Sequence, residues 1–420
     1  MDELVGTFRD LARTHPRLFR LHRIGTSRLG EPLLMLSTGT GPQHALLVGG
    51  PHPNEPVGFL TLLHLAQLFV EDAALRDGLG YTWNLIPCMD PDGARLNEGW
   101  YAGPFTVDHY HRHFYRPALR NQPEWTFPVL DESAYFDRTL SETQAMMRVI
   151  DGLRPRFQCM LHNADFGGAY FVLSRKIPGL ADDLLQIVRD FDVPLELDPS
   201  EAVGWPVAGP AVFVMPPSPE LFTHNGRKTG PRAHGASSAH YAQRHGTFTL
   251  ITEAPMWHDI HPADSEGESY AGTMRDLAAD LRREVDEMGE ALRRVTPETC
   301  SSPEVFPAAV ADTLAIGRTY VHRWEEAADS SDASRPITAS ELASTRLTAW
   351  RTPLRAAAML RRLLRVECEA GNHRPVVRAE LSATEERFAR AANGVAVTLL
   401  PLRSLVALQI AAILTAIAHL

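Results

Sequence analysis

Between His44 and Thr252 short apolar runs of strand length alternate with runs of helical periodicity. This alternation constrains the fold more than any other feature of the chain. His44–Gly50 (HALLVGG), Tyr81–Cys88, Phe157–His162, Ala169–Ser174, Ala211–Met215 and Thr247–Thr252 read as strands. Pro56–Val70, Ser141–Leu153 and Gly179–Phe191 carry helical spacing. Near-continuous apolar strands separated by helices indicate a sheet covered on both faces. The expected class is α/β, with a mixed, largely parallel twisted sheet flanked by helices. Ahead of it, Met1–His15 reads as an amphipathic helix stopped by Pro16, since proline ends a helix through its fixed φ and missing N–H. Gly99–Pro128, rich in aromatics, His and Pro, reads as a long ordered loop.

From Ser269 onward the patterning is helical alone: Met274–Val295, Val305–Ala328, Ala339–Glu369, Ser382–Ala392 and an apolar terminal stretch, Ser404–Leu420. A soft boundary near Thr296–Pro303 divides the chain into a catalytic-type domain, residues 1–296, and an all-helical C-terminal extension, residues 297–420. A membrane span needs ~20 apolar residues. Ser404–Leu420 is slightly short and is interrupted by Gln409, Thr415 and His419, so it reads as a buried bundle helix, with a tail anchor as the other reading. Met1–Asp10 has no apolar signal segment, and Cys88, Cys159, Cys300 and Cys368 form no CxxC pair. Free thiols and a cytoplasmic location are the expectation. The net charge of −10 argues against nucleic acid as a partner.

The sharpest local feature is Gly49-Gly50-Pro51-His52-Pro53-Asn54-Glu55-Pro56. A strand ends in two glycines, His52 and Glu55 follow three apart, and a helix begins. Ligand sites in open α/β sheets lie just beyond the carboxyl ends of strands. An imidazole and a carboxylate are two of the three protein ligands of a catalytic zinc. By itself such a pair is more often a surface turn. His162, in Leu161-His162-Asn163, stands at the end of another strand and is a third candidate among 18 histidines. Glu253, at the end of Thr247–Thr252, is the candidate general base and acid, because a carboxylate at a buried strand end has its pKa raised by desolvation.

Taken together these residues resemble the zinc carboxypeptidase superfamily, in its peptidase-like branch. Two intermediate landmarks join them. Asp90-Pro91-Asp92-Gly93 looks like the family's Asn-Pro-Asp-Gly turn, and His111-Arg112-His113-Phe114 resembles its Asn-Arg-Asn-Phe segment. The resemblance runs over roughly Arg9 to Arg294. It implies one Zn²⁺ per chain held by His52, Glu55 and His162, with Glu253 as proton shuttle. It implies that Arg95 stabilises the oxyanion, a contribution of about 3–4 kcal/mol. Arg112 would clamp the substrate's terminal carboxylate through a bidentate fork. His111 stands where the family has Asn, and donates one hydrogen bond with a different reach. Tyr241 is the one candidate for a tyrosine that closes over the substrate.

The activity implied is that of a metallocarboxypeptidase or related peptidase, hydrolysing an amide bond near a substrate carboxylate with a metal-activated water. An aspartoacylase- or desuccinylase-like N-acyl amino acid deacylase is the alternative, since its motifs look similar to Gly50–Glu55 and Leu161–Asn163. A third reading is a catalytically silent zinc scaffold whose helical part binds a partner. Leu250–Pro255 (LITEAP) favours the peptidase. The loop Thr223–His245 concentrates His224, Arg227, Lys228, Arg232, His234, His240, Arg244 and His245. If it lines the pocket, the substrate is a peptide or small amide of acidic character. The helical part is left to cap the catalytic domain, shape access, or join copies of the chain into a homo-oligomer. No membrane partner is expected.

Overall fold

The computed structural model describes residues 1–131, 134–217, 223–224, 227–228, 234–259, 267–295, 299–300, 305–330, 333–392 and 394–420. Nine strands form its main sheet: β1 (Arg20–Thr26), β2 (Pro32–Thr38), β3 (Gln43–Gly49), β4 (Tyr81–Ile86), β5 (Phe157–His162), β6 (Tyr170–Leu173), β7 (Val207–Gly209), β8 (Val212–Val214) and β9 (Phe248–Glu253). Their spatial order is β1-β2-β4-β3-β5-β9-β6-β8-β7. The central strands β4, β3, β5 and β9 are parallel, while β2 joins β4 and β6 joins β9 antiparallel. This is the mixed, centrally parallel α/β sheet that the alternation predicts.

Among the helices are α1 (Asp2–Thr14), α2 (Val57–Glu71), α3 (Pro91–Arg95), α4 (Val107–His113), α5 (Ser141–Leu153), α6 (Leu180–Asp190), α7 (Tyr270–Arg294), α8 (Val305–Ala328), α9 (Ala339–Glu369), α10 (Pro375–Ala392) and α11 (Leu402–Ala418). Successive side chains of a strand point to opposite faces, and β3 uses both. Ala45 and Leu47 join a core with Leu62, Leu65 and Phe69 of α2, whereas Leu46 and Val48 pack with Met146, Val149 and Ile150 of α5. Every residue of β5 is buried. Each fully buried Leu, Val or Phe of such strands contributes about 1.5–3 kcal/mol, so the middle of the sheet is its most firmly held part.

Two stretches depart from expectation. Within the expected loop Gly99–Pro128 lies helix α4, started by Thr106, whose Oγ1 accepts the His109 N–H at 3.2 Å. That is an N-cap. The turn at Asp90 likewise winds on into α3, capped by the Asp90 carboxylate, which accepts the Gly93 N–H at 3.0 Å.

The helical part is an excursion rather than a tail. Strand β10 (Trp257–Asp259) pairs antiparallel with β11 (Val397–Leu399), Trp257 opposite Leu399. The chain therefore leaves the sheet layer after Asp259, forms α7 to α10, and returns at Val397. Helix α11 then packs against α2 and α6, burying Leu405, Leu408, Ala412, Ile413 and Ala416. It belongs to the sheet's helical cover and not, as its sequence suggested, to a separate bundle core. No helix among the described residues is long and apolar enough to cross a membrane. All four cysteines are free.

Candidate metal centre and active site

The run from Gly49 to Pro56 can turn sharply because its glycines admit close neighbours. Gly50 has φ +53°, and a Cβ there would lie 2.2 Å from the Phe59 ring. Gly58, in the first turn of α2, sits so near β5 that a Cβ would come within 2.8 Å of the Leu161 carbonyl oxygen. The turn between them closes with the Glu55 N–H donating to the His52 carbonyl at 3.2 Å. It delivers His52 and Glu55 to the carboxyl edge of the sheet, beside the end of β5.

There His52, Glu55 and His162 converge, with ligand atoms within 4.8 Å of one another. They are 3%, 4% and 6% exposed. His162 Nδ1 is 3.0 Å from Glu55 Oε2 and 3.6 Å from Glu253 Oε1. The His52 and His162 rings meet edge-on, with centroids 4.9 Å apart. Pairing of β9 with β5 sets Glu253 directly beside His162. Burial, then the charges of Arg116, His162 and Arg355, push the His52 pKa well down, so its ring is neutral. Its Nδ1 is buried and has no protein partner. A buried imidazole nitrogen left unpaired is costly, and a metal ion satisfies it. The donor set, two imidazoles and one carboxylate, fits zinc with a fourth position open.

Burial, then the charges of Glu55 and Glu201, raise the Glu253 pKa well above the usual carboxylate range. A carboxylate tuned upward is suited to taking and returning a proton near neutral pH. Glu55 is steadied by Arg116, whose Nη1 donates to Glu55 Oε1 at 2.8 Å and to Asn54 Oδ1 at 3.4 Å. The Asn163 N–H also donates to Glu55 Oε2, at 3.3 Å.

The remaining candidates lie elsewhere. Arg95 reaches Glu31 at 2.8 Å, Glu98 at 3.0 Å and Asp2 at 2.6 Å, tying α1 to α3 on the outer surface. Three carboxylates hold it away from His52 and Glu55. Arg112 is 42% exposed in its side chain and paired with Asp108 at 2.5 Å. One helical turn of α4 makes that pair, because positions four apart share a face. His111 is fully buried, its Nδ1 2.9 Å from the Val107 carbonyl and its ring stacked 5.9 Å from Phe166. Burial pushes its pKa down to about 4, so it packs as a neutral ring. Tyr241 donates its hydroxyl to Asp151 at 2.7 Å, under the Arg244 guanidinium. In the basic loop Arg232 lies outside the described residues, residues 223–224 and 227–228 pair as a ribbon, and His245 joins Asp151 at 2.8 Å.

The cleft in front of Glu55 and Glu253 holds about 260 Å³ and is lined by residues that sequence reasoning missed. Arg116 is one, only four residues beyond Arg112 in a run with two arginines. Asp165, three residues after His162, is another. Burial opposes its ionisation, yet the charges of Arg355 and Arg351 outweigh this and hold its carboxyl well below the usual range. Both arginines come from α9. Behind the metal cluster, Gln409 of α11 donates its amide to the His162 carbonyl at 2.8 Å and to Thr252 Oγ1 at 3.2 Å, and accepts from Thr61 at 2.6 Å.

Residues 4–114 match the model of a family described as zinc carboxypeptidase. Over this segment, which carries His52 and Glu55, the chain is similar to that family, in line with the motifs. No curated protein matches the chain. Among solved structures it is similar to carboxypeptidase A from Helicoverpa armigera, with 12% identity, 78% of this chain and 72% of that one covered, and TM-score 0.37. It is also similar to bovine thrombin-activatable fibrinolysis inhibitor in complex with tick carboxypeptidase inhibitor (12%, 60% and 84%, 0.37). A third is murein-tripeptide amidase from Escherichia coli O157 (19%, 57% and 88%, 0.29). At TM-scores below 0.5 these likenesses do not bear on activity.

Proposed function

We propose that this protein is a zinc-dependent metallohydrolase of the metallocarboxypeptidase type, cleaving an amide bond near a substrate carboxylate. The observation that carries the reading is the buried His52–Glu55–His162 cluster, with an unpartnered His52 Nδ1, set beside Glu253 by strand register. His52, Glu55 and His162 hold the ion. When bound, zinc acidifies a coordinated water and polarises a carbonyl. Glu253 takes the proton from the attacking water and returns it to the departing amine as the C–N bond breaks. Arg116, which lines the same cleft as Glu253, takes the oxyanion-stabilising role that the resemblance gave to Arg95.

The small cleft also suits an N-acyl amino acid, so the deacylase reading stays beside the peptidase one. Metal analysis of the purified protein is expected to find one zinc per chain, lost in His52→Ala; a metal-free wild type overturns the proposal. A panel of C-terminal peptides and N-acyl amino acids separates the two hydrolases. No turnover on either, with zinc bound, favours a silent scaffold.

A further inference from the structure

The far wall of the cleft comes from the inserted helices, not from the sheet layer. Tyr320 of α8 and Thr348, Arg351 and Arg355 of α9 face the same space as Glu55 and Glu253. Among the described residues three arginines therefore line it, and they differ in how their charge is answered. Arg116 is held by Glu55, a metal ligand. Arg355 is held by Asp165, which its Nε approaches at 3.2 Å and its Nη2 more closely still, and which is 2% exposed. Arg351 has a looser contact with Asp165, at 3.5 Å, and its close partner is Glu201 at 2.5 Å.

Glu201 differs from the other partners. The Arg351 side chain is 10% exposed, whereas the Glu201 side chain is 50% exposed. A buried guanidinium in a cleft thus has as its main counter-charge a carboxylate that can turn out into water. An exposed carboxylate gives up little when an ion pair opens, while a guanidinium keeps its fork for any other carboxylate. The exchange conserves charge in the cleft, so no ion is left buried alone. The charges of both Arg351 and Glu201 act at Glu253, which sets the pair near the proton shuttle.

We propose that Arg351 is the seat for the substrate's free carboxylate, and that Glu201 occupies this seat in the free enzyme and is displaced on binding. The inference rests on the hydrolase reading above and assigns its specificity to the inserted helix α9. It makes Glu201 an internal competitor, so removing its charge strengthens substrate binding.

The test uses matched N-acyl dipeptides ending in a free carboxylate or in an amide. It adds calorimetric binding of an N-acetyl amino acid and its amide to the zinc-loaded full chain. Glu201→Gln is expected to lower KM for the free acid, and Kd for the N-acetyl amino acid, by about 2- to 5-fold. The Kd for the N-acetyl amino acid amide should not change. Arg351→Met should cut the preference for acid over amide by at least about 10-fold, with Arg351→Lys between it and wild type. If Arg351→Met does not fold, the half-exposed Glu201 still supplies the decisive variant. Equal effects of Glu201→Gln on acid and amide, or none on either, overturn the proposal. Loss of turnover in wild type with carboxylate-selective binding intact overturns the hydrolase reading and leaves the seat standing.

Discussion

On the sheet side of the cleft, position comes from the backbone. His162 and Glu253 stand together because β5 and β9 are paired in register, and Glu55 because a tight turn lies against β5. On the helix side, position comes from charge: Arg351 and Arg355 reach across to Asp165 and Glu201. A hydrogen-bonded ladder moves little, whereas an ion pair can change partners. The proposed chemistry sits on the wall held by the backbone ladder, and the proposed selection on the wall held by ion pairs.

The largest expected effect tests the sheet wall. Glu253→Gln should retain zinc and lose about 10²- to 10⁴-fold in kcat, read by metal analysis beside steady-state kinetics. Retained turnover would mean that the register pair with His162 is not the proton shuttle. Next, Asp165→Asn should cost about 3–5 kcal/mol of stability in denaturant unfolding, because it leaves the buried Arg355 without its close counter-charge. A loss below about 1 kcal/mol would mean that the helix wall does not depend on this pair.

A smaller effect concerns the buried Glu124, whose Oε1 accepts from the Ser238 N–H and hydroxyl while Oε2 has no partner. Burial, opposed by the Ser238 hydrogen bonds, raises its pKa to about 8. The folded chain then keeps this proton up to about pH 8, while the unfolded chain releases it near 4.5. Stability attributable to Glu124 is full below about pH 4.5, falls through that window, and is flat above it. Across it the stability of wild type relative to Glu124→Gln should decline by up to roughly 5 kcal/mol. A difference constant with pH would show the carboxyl to be ionised throughout. The smallest effect belongs to Arg112→Ala. With its guanidinium half in solvent on Asp108, less than about a 2-fold change in kcat/KM is expected, and a large rise in KM would return the carboxylate clamp to α4.

These contrasts also explain what was legible in the chain. His52, Glu55, His162 and Glu253 could be read because each ends or follows an apolar strand, a local pattern. The choice among Arg95, Arg112 and Arg116 could not. It depends on Thr106 capping a helix that turns Arg112 outward onto Asp108, in a stretch whose aromatics and prolines suggested a loop. Arg351 and Arg355 were out of reach because their partners, Glu201 and Asp165, are more than a hundred residues away. The return of the chain to the sheet at Val397 hangs on three residues of pairing that carry no pattern of their own.

Gln409 gives the order of synthesis a meaning. His52, Glu55, His162 and Glu253, the proposed metal ligands and proton shuttle, have all been synthesised once Glu253 is added. The amide that fixes the His162 carbonyl and the Thr252 hydroxyl arrives only after the whole helical excursion. Until α11 docks on α2, the nascent chain lacks the amide that ties the ends of β5 and β9 to the helical cover.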